Sequence, residues 1–211
     1  MKITIIYDNT AWDHRLAADW GFSCLVEAHG CRILFDTGAQ GAILAENMKK
    51  LGISADLIDT VFISHDHWDH TGGLPNLLKK RHLPVYVPDS YQHAERFGFI
   101  RIREPQSIGD QVFTTGELGG IEQSLAVRIE DDQLAVIAGC SHPGVDLILQ
   151  SASRYGTVST LIGGLHGFCD LPLVSALKYI CPTHCTQYIR EIAKTHPEKY
   201  ISGGAGKTIE F

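Results

Sequence analysis

The stretch from Ile58 to Pro75, which reads IDTVFISHDHWDHTGGLP, constrains the fold of this chain more than any other. A short apolar run from Val61 to Ile63 leads directly into polar residues, a pattern typical of a buried strand that ends at a site. Four residues of types that commonly bind metals follow at once, and these are His65, His67, Asp69 and His70. Imidazole and carboxylate groups together suit Zn²⁺, iron or manganese. The sequence therefore predicts a metal site at the end of a strand.

The spacing of these four residues predicts how they divide between ions. Alternate side chains of an extended segment point the same way, so His65 and His67 are expected to bind one ion. Asp69 and His70 come after the turn begins and are expected to reach a second ion. Asp69 serves either as a ligand or as a catalytic proton acceptor, and the sequence leaves both roles open.

Length and composition limit the classes of protein to consider. The 211 residues, of which 44% are apolar, are enough to bury one core, so residues 1–211 are predicted to form a single domain. The net charge of −6 argues against a nucleic-acid partner, which would need a basic stripe. No apolar run approaches the roughly 20 residues of a membrane span. We therefore expect a small-molecule substrate, while the oligomeric state is left open.

The N-terminus and the cysteines favour a cytoplasmic location. The first ten residues, MKITIIYDNT, have only a short apolar stretch and are predicted to form a strand rather than a signal peptide. The six cysteines have irregular spacing and are expected to be reduced rather than to form a disulfide framework.

Two further candidate sites follow strands or precede helices in the second half of the chain. His166 comes after the apolar run 157–162 and two glycines, and it is predicted to act in catalysis or near the substrate, although a satisfied polar histidine fits equally. Residues 172–180 and 187–194 are predicted to be helices. Cys185 and Thr186 precede the second of these helices, whose N-terminus is expected to attract an anionic substrate.

Several motifs together resemble a known family. SHDHWDHTGG is similar to the HxHxDH signature of the metallo-β-lactamase superfamily. WGFSCLVEAHGCRILFDTGA, LAVIAGCSHPGV, IGGLH and PTHCT occur around it in an order that resembles the branch described as metal-dependent hydrolases of β-lactamase superfamily II. The resemblance implies a four-layer αββα sandwich of the α/β (α+β) class. The alternation of strands and helices predicts the same arrangement.

The resemblance also implies roles for particular residues. Asp36 matches an aspartate that lies behind the metals and orients a ligand histidine, although capping of the following helix also explains Asp36. His184 matches the last ligand histidine. Asn9 matches a DN element at the rim of the site, although an Asx turn explains Asp8 and Asn9 equally well. Lys207 resembles part of the closing element near the site. Asn9 and Lys207 are therefore expected to bind substrate.

The chain departs from the superfamily pattern after its central strands. TTGE stands where a ligand histidine usually occurs in TPGH, and AGCSH stands where a bridging aspartate occurs in TGD. His142 is predicted to supply the missing histidine ligand. Cys140 is either a buried small residue or a bridging thiolate, and Glu117 is either a ligand or a surface residue.

These features predict an enzyme with one or two divalent ions, with zinc as the default over iron or manganese. The expected activity is hydrolysis of a small anionic, ester or phosphoester-like substrate by metal-activated water. The branch also includes aminobenzene ribofuranosyl phosphate synthases, so the resemblance implies, as an alternative, a transferase that releases diphosphate from a dihydropterin diphosphate. A third alternative is a non-catalytic protein that binds a metal or a ligand.

Overall fold

A computed structural model describes residues 1–79, 81–92 and 94–211. Those residues form thirteen β-strands, which in chain order are β1 (Lys2–Tyr7), β2 (Ser23–Ala28), β3 (Cys31–Phe35), β4 (Thr60–Phe62), β5 (Val85–Pro88), β6 (Ile100–Ile102), β7 (Gln106–Gly109), β8 (Val112–Thr114), β9 (Leu125–Glu130), β10 (Gln133–Ala138), β11 (Thr157–Gly164), β12 (Tyr179–Thr183) and β13 (Thr208–Glu210). They also form seven α-helices, which are α1 (Gly41–Lys50), α2 (Trp68–Thr71), α3 (Leu74–Leu78), α4 (Ala94–Phe97), α5 (Val145–Ala152), α6 (Leu171–Ala176) and α7 (Ile189–Thr195).

The strands of the described ranges build two mixed sheets. One sheet has the order β13-β1-β2-β3-β4-β5-β6, and the other has the order β12-β11-β10-β9-β8-β7. Strands β3 to β6 run parallel in the first sheet, and β10, β11 and β12 run parallel in the second. Parallel strands end at the same edge of their sheet, so the segments that follow β3 and β4, and those that follow β10, β11 and β12, emerge as two groups of neighbouring loops.

Three apolar clusters define four layers. The inner faces of the sheets pack against each other through residues such as Ile5, Phe35, Leu125 and Ile162. A second cluster joins the first sheet to α1 and α3, and a third joins the second sheet to α5, α6 and α7. Each sheet is therefore covered by helices on its outer face, and the predicted αββα sandwich is confirmed.

The hairpin of β2 and β3 shows how local sequence sets this architecture. Its two-residue turn is His29-Gly30, with φ angles of 49° and 76°. A type I′ turn needs positive φ at both positions, and its twist matches that of the flanking strands. The turn brings β3 back beside β2. Asp36, which follows β3, therefore lies at the same edge of the sheet as the histidine-rich motif that follows β4.

The predicted helix over residues 172–180 is wrong in its second half. Helix α6 ends at Ala176, and Tyr179–Thr183 form β12 instead. Pro182 lies in this strand, which the sheet tolerates because β12 is an edge strand and does not need every backbone N–H. The next predicted helix begins two residues late, at Ile189.

The segment from residue 89 to residue 109 contains two arginines that a phosphate-bearing substrate would suit. In the structure Arg101 pairs with Glu95 at 2.7 Å, and Arg103 pairs with Asp89 at 2.9 Å. Both guanidinium groups therefore already have a carboxylate partner. Among the described residues, no helix combines the length and the apolar character needed to cross a membrane.

Candidate metal centre

The first ligand group consists of three imidazole rings around His65. The centroids of His65, His67 and His142 lie 4.5, 4.7 and 4.8 Å apart in pairs. The Nε2 atoms of His65 and His142 are 3.3 Å apart. Two atoms bound at about 2.1 Å to one tetrahedral Zn²⁺ lie about 3.4 Å from each other, so this spacing fits a shared ion. His65 is fully buried and His67 is exposed, which leaves one side of the group open to solvent.

The second ligand group consists of Asp69, His70 and His184. Asp69 Oδ2 lies 3.3 Å from His184 Nε2 and 3.8 Å from His70 Nε2. Apart from this approach of Asp69, the buried Nε2 atom of His184 has no polar partner within the described ranges. A buried nitrogen lone pair that faces a carboxylate costs free energy unless an ion or water lies between them. The donor set and its spacing therefore fit a second divalent ion.

Cys140 lies between the two groups. Its Sγ atom is 3.3 Å from His70 Nε2, and it shares a cluster with His65 and His142 and another with His70 and His184. Within each cluster the ligand atoms lie within 4.8 Å of one another. This position supports the interpretation of Cys140 as a bridging thiolate, where related sites use an aspartate.

Hydrogen bonds at Nδ1 fix the orientation of three of the histidines. Asp36 accepts from His70 Nδ1 at 2.7 Å, and Asn9 Oδ1 accepts from His184 Nδ1 at 3.0 Å. Ser64 Oγ lies 2.9 Å from His65 Nδ1 and itself donates to Asp36 at 2.7 Å. When Nδ1 carries the proton, the lone pair of Nε2 is free for a metal. These three residues therefore hold the imidazoles in the form that binds an ion.

Strained backbone turns the chain at the site. Asp36, Ser141, His166 and His184 have φ angles of 52°, 60°, 44° and 49°. Residues other than glycine rarely adopt this left-handed conformation, and they concentrate at functional sites when they do. Each of these residues lies just beyond the end of one strand, so the strain occurs where the chain leaves the sheet to present ligands.

Glu122 holds the loop that carries Cys140 and His142. The side chain is fully buried, and its Oε1 accepts from the backbone N–H groups of Gly139, Cys140 and Ser141 at 3.0 to 3.1 Å. Its Oε2 accepts from the N–H of His142 at 2.8 Å. Burial raises the pKa of Glu122, whereas these hydrogen bonds act in the opposite direction. Glu122 is not predictable from the sequence as a site residue, because nothing in its local pattern distinguishes it from a surface glutamate.

Trp20 is also not predicted from the sequence as a site residue, and it fixes the carboxylate of Asp69. The indole Nε1 donates to Asp69 Oδ2 at 2.8 Å, and the ring meets His184 edge-on at a centroid distance of 5.2 Å. The indole is nevertheless 50% exposed. It therefore orients a ligand and also forms part of the mouth of the site.

Burial and neighbouring charges shift the pKa values of His65, His142 and Asp69 towards the forms that bind metal. Burial lowers the pKa of His65, and burial together with His166 lowers the pKa of His142 to about 4. Burial alone would raise the pKa of Asp69, but His184 and His70 lower it below its usual range. At neutral pH His65 and His142 are thus neutral and Asp69 is ionised, which are the forms that bind a metal.

These shifts predict acid sensitivity of the metal-free protein. Below a pH of about 6.5 the unfolded chain binds protons at His65 and His142 that the native state binds only at lower pH, so the free energy of unfolding falls as the pH falls. His70, whose pKa burial lowers but Asp36 raises overall, offsets part of this loss. We expect a lower urea midpoint at about pH 5 than at about pH 7. A His142→Gln variant should show a smaller decrease, and an equal midpoint at both pH values would contradict the explanation.

The remaining predicted site residues have contacts of other kinds. Asn9 donates through Nδ2 to the carbonyl of His184 at 2.9 Å and so uses both amide atoms to hold that ligand. Thr186 Oγ1 donates to Thr183 O at 2.7 Å and accepts from Leu165 N. The ammonium of Lys207 lies 4.1 Å from the ring centroid of Trp12. The contact of these residues with substrate stays a prediction.

His166, Cys185 and Glu117 complete the set. The ring of His166 lies 4.5 Å from that of His142 between centroids, and its Nε2 is buried without a hydrogen-bond partner among the described residues. Cys185 Sγ lies in one cluster with His166 and Cys140. Glu117 instead accepts from the backbone N–H of Ser90 at 2.5 Å and belongs to none of the clusters found in the described part of the chain.

Comparison with known proteins gives relatives over the full length. The chain is 26% identical to the 7,8-dihydropterin-6-methyl-4-(beta-D-ribofuranosyl)-aminobenzene-5'-phosphate synthase of Methanocaldococcus jannaschii, and the match covers 99% of this chain and 95% of the relative. The crystal structure of Tm1679, described as a metal-dependent hydrolase of the beta-lactamase superfamily, has a TM-score of 0.79 and 26% identity, covering 100% of this chain and 99% of Tm1679.

More distant structures share the fold. Human tRNase Z, short form, has a TM-score of 0.69 at 16% identity, and the match covers 100% of this chain and 99% of that one. The family model described as Metallo-beta-lactamase superfamily matches residues 21–144, which is more than half of the chain and includes the histidine cluster, Glu122, Cys140 and His142. The chain belongs to the metallo-β-lactamase superfamily.

Proposed function

We propose that this protein is a metal-dependent hydrolase that acts on a small anionic, ester or phosphoester-like molecule. The observation that carries the proposal is the convergence of two ligand groups, His65, His67 and His142 and, beside them, Asp69, His70 and His184. Divalent ions at such positions lower the pKa of water and neutralise charge that develops on a carbonyl or phosphoryl oxygen. Zinc is the default ion, because imidazole, carboxylate and thiolate all suit it.

The side chains of the site have defined tasks in this proposal. Asp69 is ionised, and its Oδ2 is held by Trp20 close to His184 and His70, so it is suited to bind an ion and to accept a proton from water. The exposure of His67 supports an entrance on the side of the first ligand group. The exposed indole of Trp20 forms an apolar edge of the mouth.

The full-length match to the synthase supports a second candidate. A transferase of this kind would use the same centre to assist departure of diphosphate while an aminobenzene ribose phosphate attacks in place of water. Trapping of inorganic diphosphate from a dihydropterin diphosphate, only when the second substrate is present, would favour the transferase over the hydrolase.

Replacement of Asp69 by asparagine tests the proposal. The change keeps the shape of the side chain but removes the charge, so we expect kcat on any ester or phosphoester substrate of the wild type to fall by about 10²–10⁴-fold. The measurement is turnover of a substrate panel by zinc-loaded protein.

The matched control is Asp66→Asn, because Asp66 is the neighbouring exposed aspartate and accepts from the backbone of Gln92 at 2.9 Å. Its turnover should stay close to that of the wild type. Bound metal without turnover of any substrate in the wild type would contradict an enzymatic role and favour a protein that only binds the metal or a ligand.

A further inference from the structure

Two buried thiols and one imidazole meet beside the two ligand groups without belonging fully to either. The ligand atoms of Cys140, Cys185 and His166 all lie within 4.8 Å of one another. Cys140 and Cys185 are only 3% and 8% exposed. Cys185 and His166 belong to no other cluster of potential ligands in the described part of the chain. Cys185 and His166 can therefore have a role that differs from that of the two ligand groups.

The fold brings these three residues together by an unusual route. Cys140, His166 and Cys185 follow β10, β11 and β12, which are adjacent parallel strands with β11 in the middle. Strands β10 and β12 therefore run about 9.5 Å apart, and their side chains would normally not meet. They meet here above Gly164, where an added Cβ would lie 2.8 Å from Cys185 Sγ. Glycine at this position leaves room for the sulfur atom of Cys185 beside the backbone of Cys140.

The spacing of the two thiols suits a shared metal ion. Both cysteines are free, and their sulfur atoms lie within 4.8 Å of each other. Two thiolates at about 2.3 Å from one tetrahedral ion have sulfur atoms about 3.8 Å apart, which the observed cluster reaches with small adjustments.

An independent observation points to an ion at the same place. The Nε2 atom of His166 is buried and has no hydrogen-bond partner within the described residues. The backbone of His166 is left-handed, with φ of 44°. This conformation is strained, and strained residues are common at functional positions. The imidazole of His166 and the two thiols together make the kind of donor set that soft metal ions select.

We propose that Cys140, Cys185 and His166 form a sulfur-rich binding position for a thiophilic metal ion such as Zn²⁺, Cd²⁺ or Cu⁺. The position adjoins the two ligand groups and shares Cys140 with them. Each thiol releases its proton to solvent when it binds the ion, and no oxidation or reduction is involved.

Cadmium binding to the full chain under a non-thiol reductant tests the position. Bound cadmium per chain and the sulfur-to-cadmium charge-transfer absorption are measured for wild type, Cys185→Ser and His166→Ala. We expect each variant to bind one cadmium ion fewer than wild type, and Cys185→Ser also to lose the absorption of one thiolate. The matched control is Cys169→Ser, because Cys169 is the exposed cysteine and should leave both readouts unchanged.

The result that would overturn the proposal is wild-type cadmium content in both Cys185→Ser and His166→Ala. Circular dichroism of the metal-free variants shows whether each is folded, and His166→Ala decides the outcome if the serine variant is not. Failure of this position leaves the His65 and Asp69 groups intact, since neither Cys185 nor His166 belongs to them.

Discussion

Replacement of Asp36 by alanine is expected to reduce the free energy of unfolding by about 3–5 kcal/mol and to remove most of the metal affinity. Asp36 is fully buried and accepts three hydrogen bonds of 2.7 Å, from Ser64 N, Ser64 Oγ and His70 Nδ1. Alanine leaves all three donors buried without an acceptor and releases the ring of His70. The measurements are urea denaturation of the metal-free protein and zinc content after dialysis.

Two further variants serve as controls for Asp36→Ala. Asp36→Asn keeps the shape and tolerates the left-handed backbone, but it loses the charge, so we expect a smaller loss of stability and a decrease of about 10–100-fold in metal affinity. Asp110→Ala removes an exposed aspartate and should change the stability by no more than about 0.5 kcal/mol. An Asp36→Ala protein with wild-type stability and metal content would contradict the role of Asp36 in orienting His70.

Replacement of Glu122 by alanine is the second change with a large expected effect. Four backbone N–H groups lose their acceptor together, so we expect the free energy of unfolding to fall by about 3 kcal/mol or more. The loop that carries Cys140 and His142 then loses its shape, and metal affinity should fall as well. Denaturation and metal titration measure the two effects.

The Glu122→Gln variant distinguishes the role of Glu122 in stabilising the loop from its role in positioning His142. A glutamine carbonyl at the position of Oε1 still serves Gly139, Cys140 and Ser141, whereas its NH₂ group opposes the N–H of His142. We therefore expect most of the stability to return while zinc affinity stays below that of the wild type. Full zinc affinity in Glu122→Gln would show that the position of His142 does not depend on this hydrogen bond.

Local patterns in the sequence encode the parts of the fold that depend on neighbours along the chain. The β2–β3 hairpin follows from His29-Gly30, and the histidine cluster follows from the motif after β4. The prediction from the sequence was wrong at Tyr179–Thr183. This short, buried edge strand contains Pro182 and has no clear period-two pattern, and it continues the apolar spacing of the preceding helix.

The sequence predicted the candidate metal ligands much better than it predicted the residues that hold these ligands in place. Asp36 was found through the family motif. Glu122 and Trp20 act on loops or ligands that lie far from them in sequence, and Asn9 reaches His184 across 175 positions. The contact of Asn9 arises only after the two sheets have packed, and those of Glu122 and Trp20 arise only after distant strands have paired within one sheet, so no local pattern encodes them.

The central claim is that two groups, one around His65 and one around Asp69, each hold a divalent ion. Anomalous diffraction at the zinc absorption edge from crystals of the zinc-loaded protein tests it most directly. The account predicts one peak among His65, His67 and His142 and another among Asp69, His70 and His184. Absence of a peak at either position in fully loaded protein would contradict the two-ion centre.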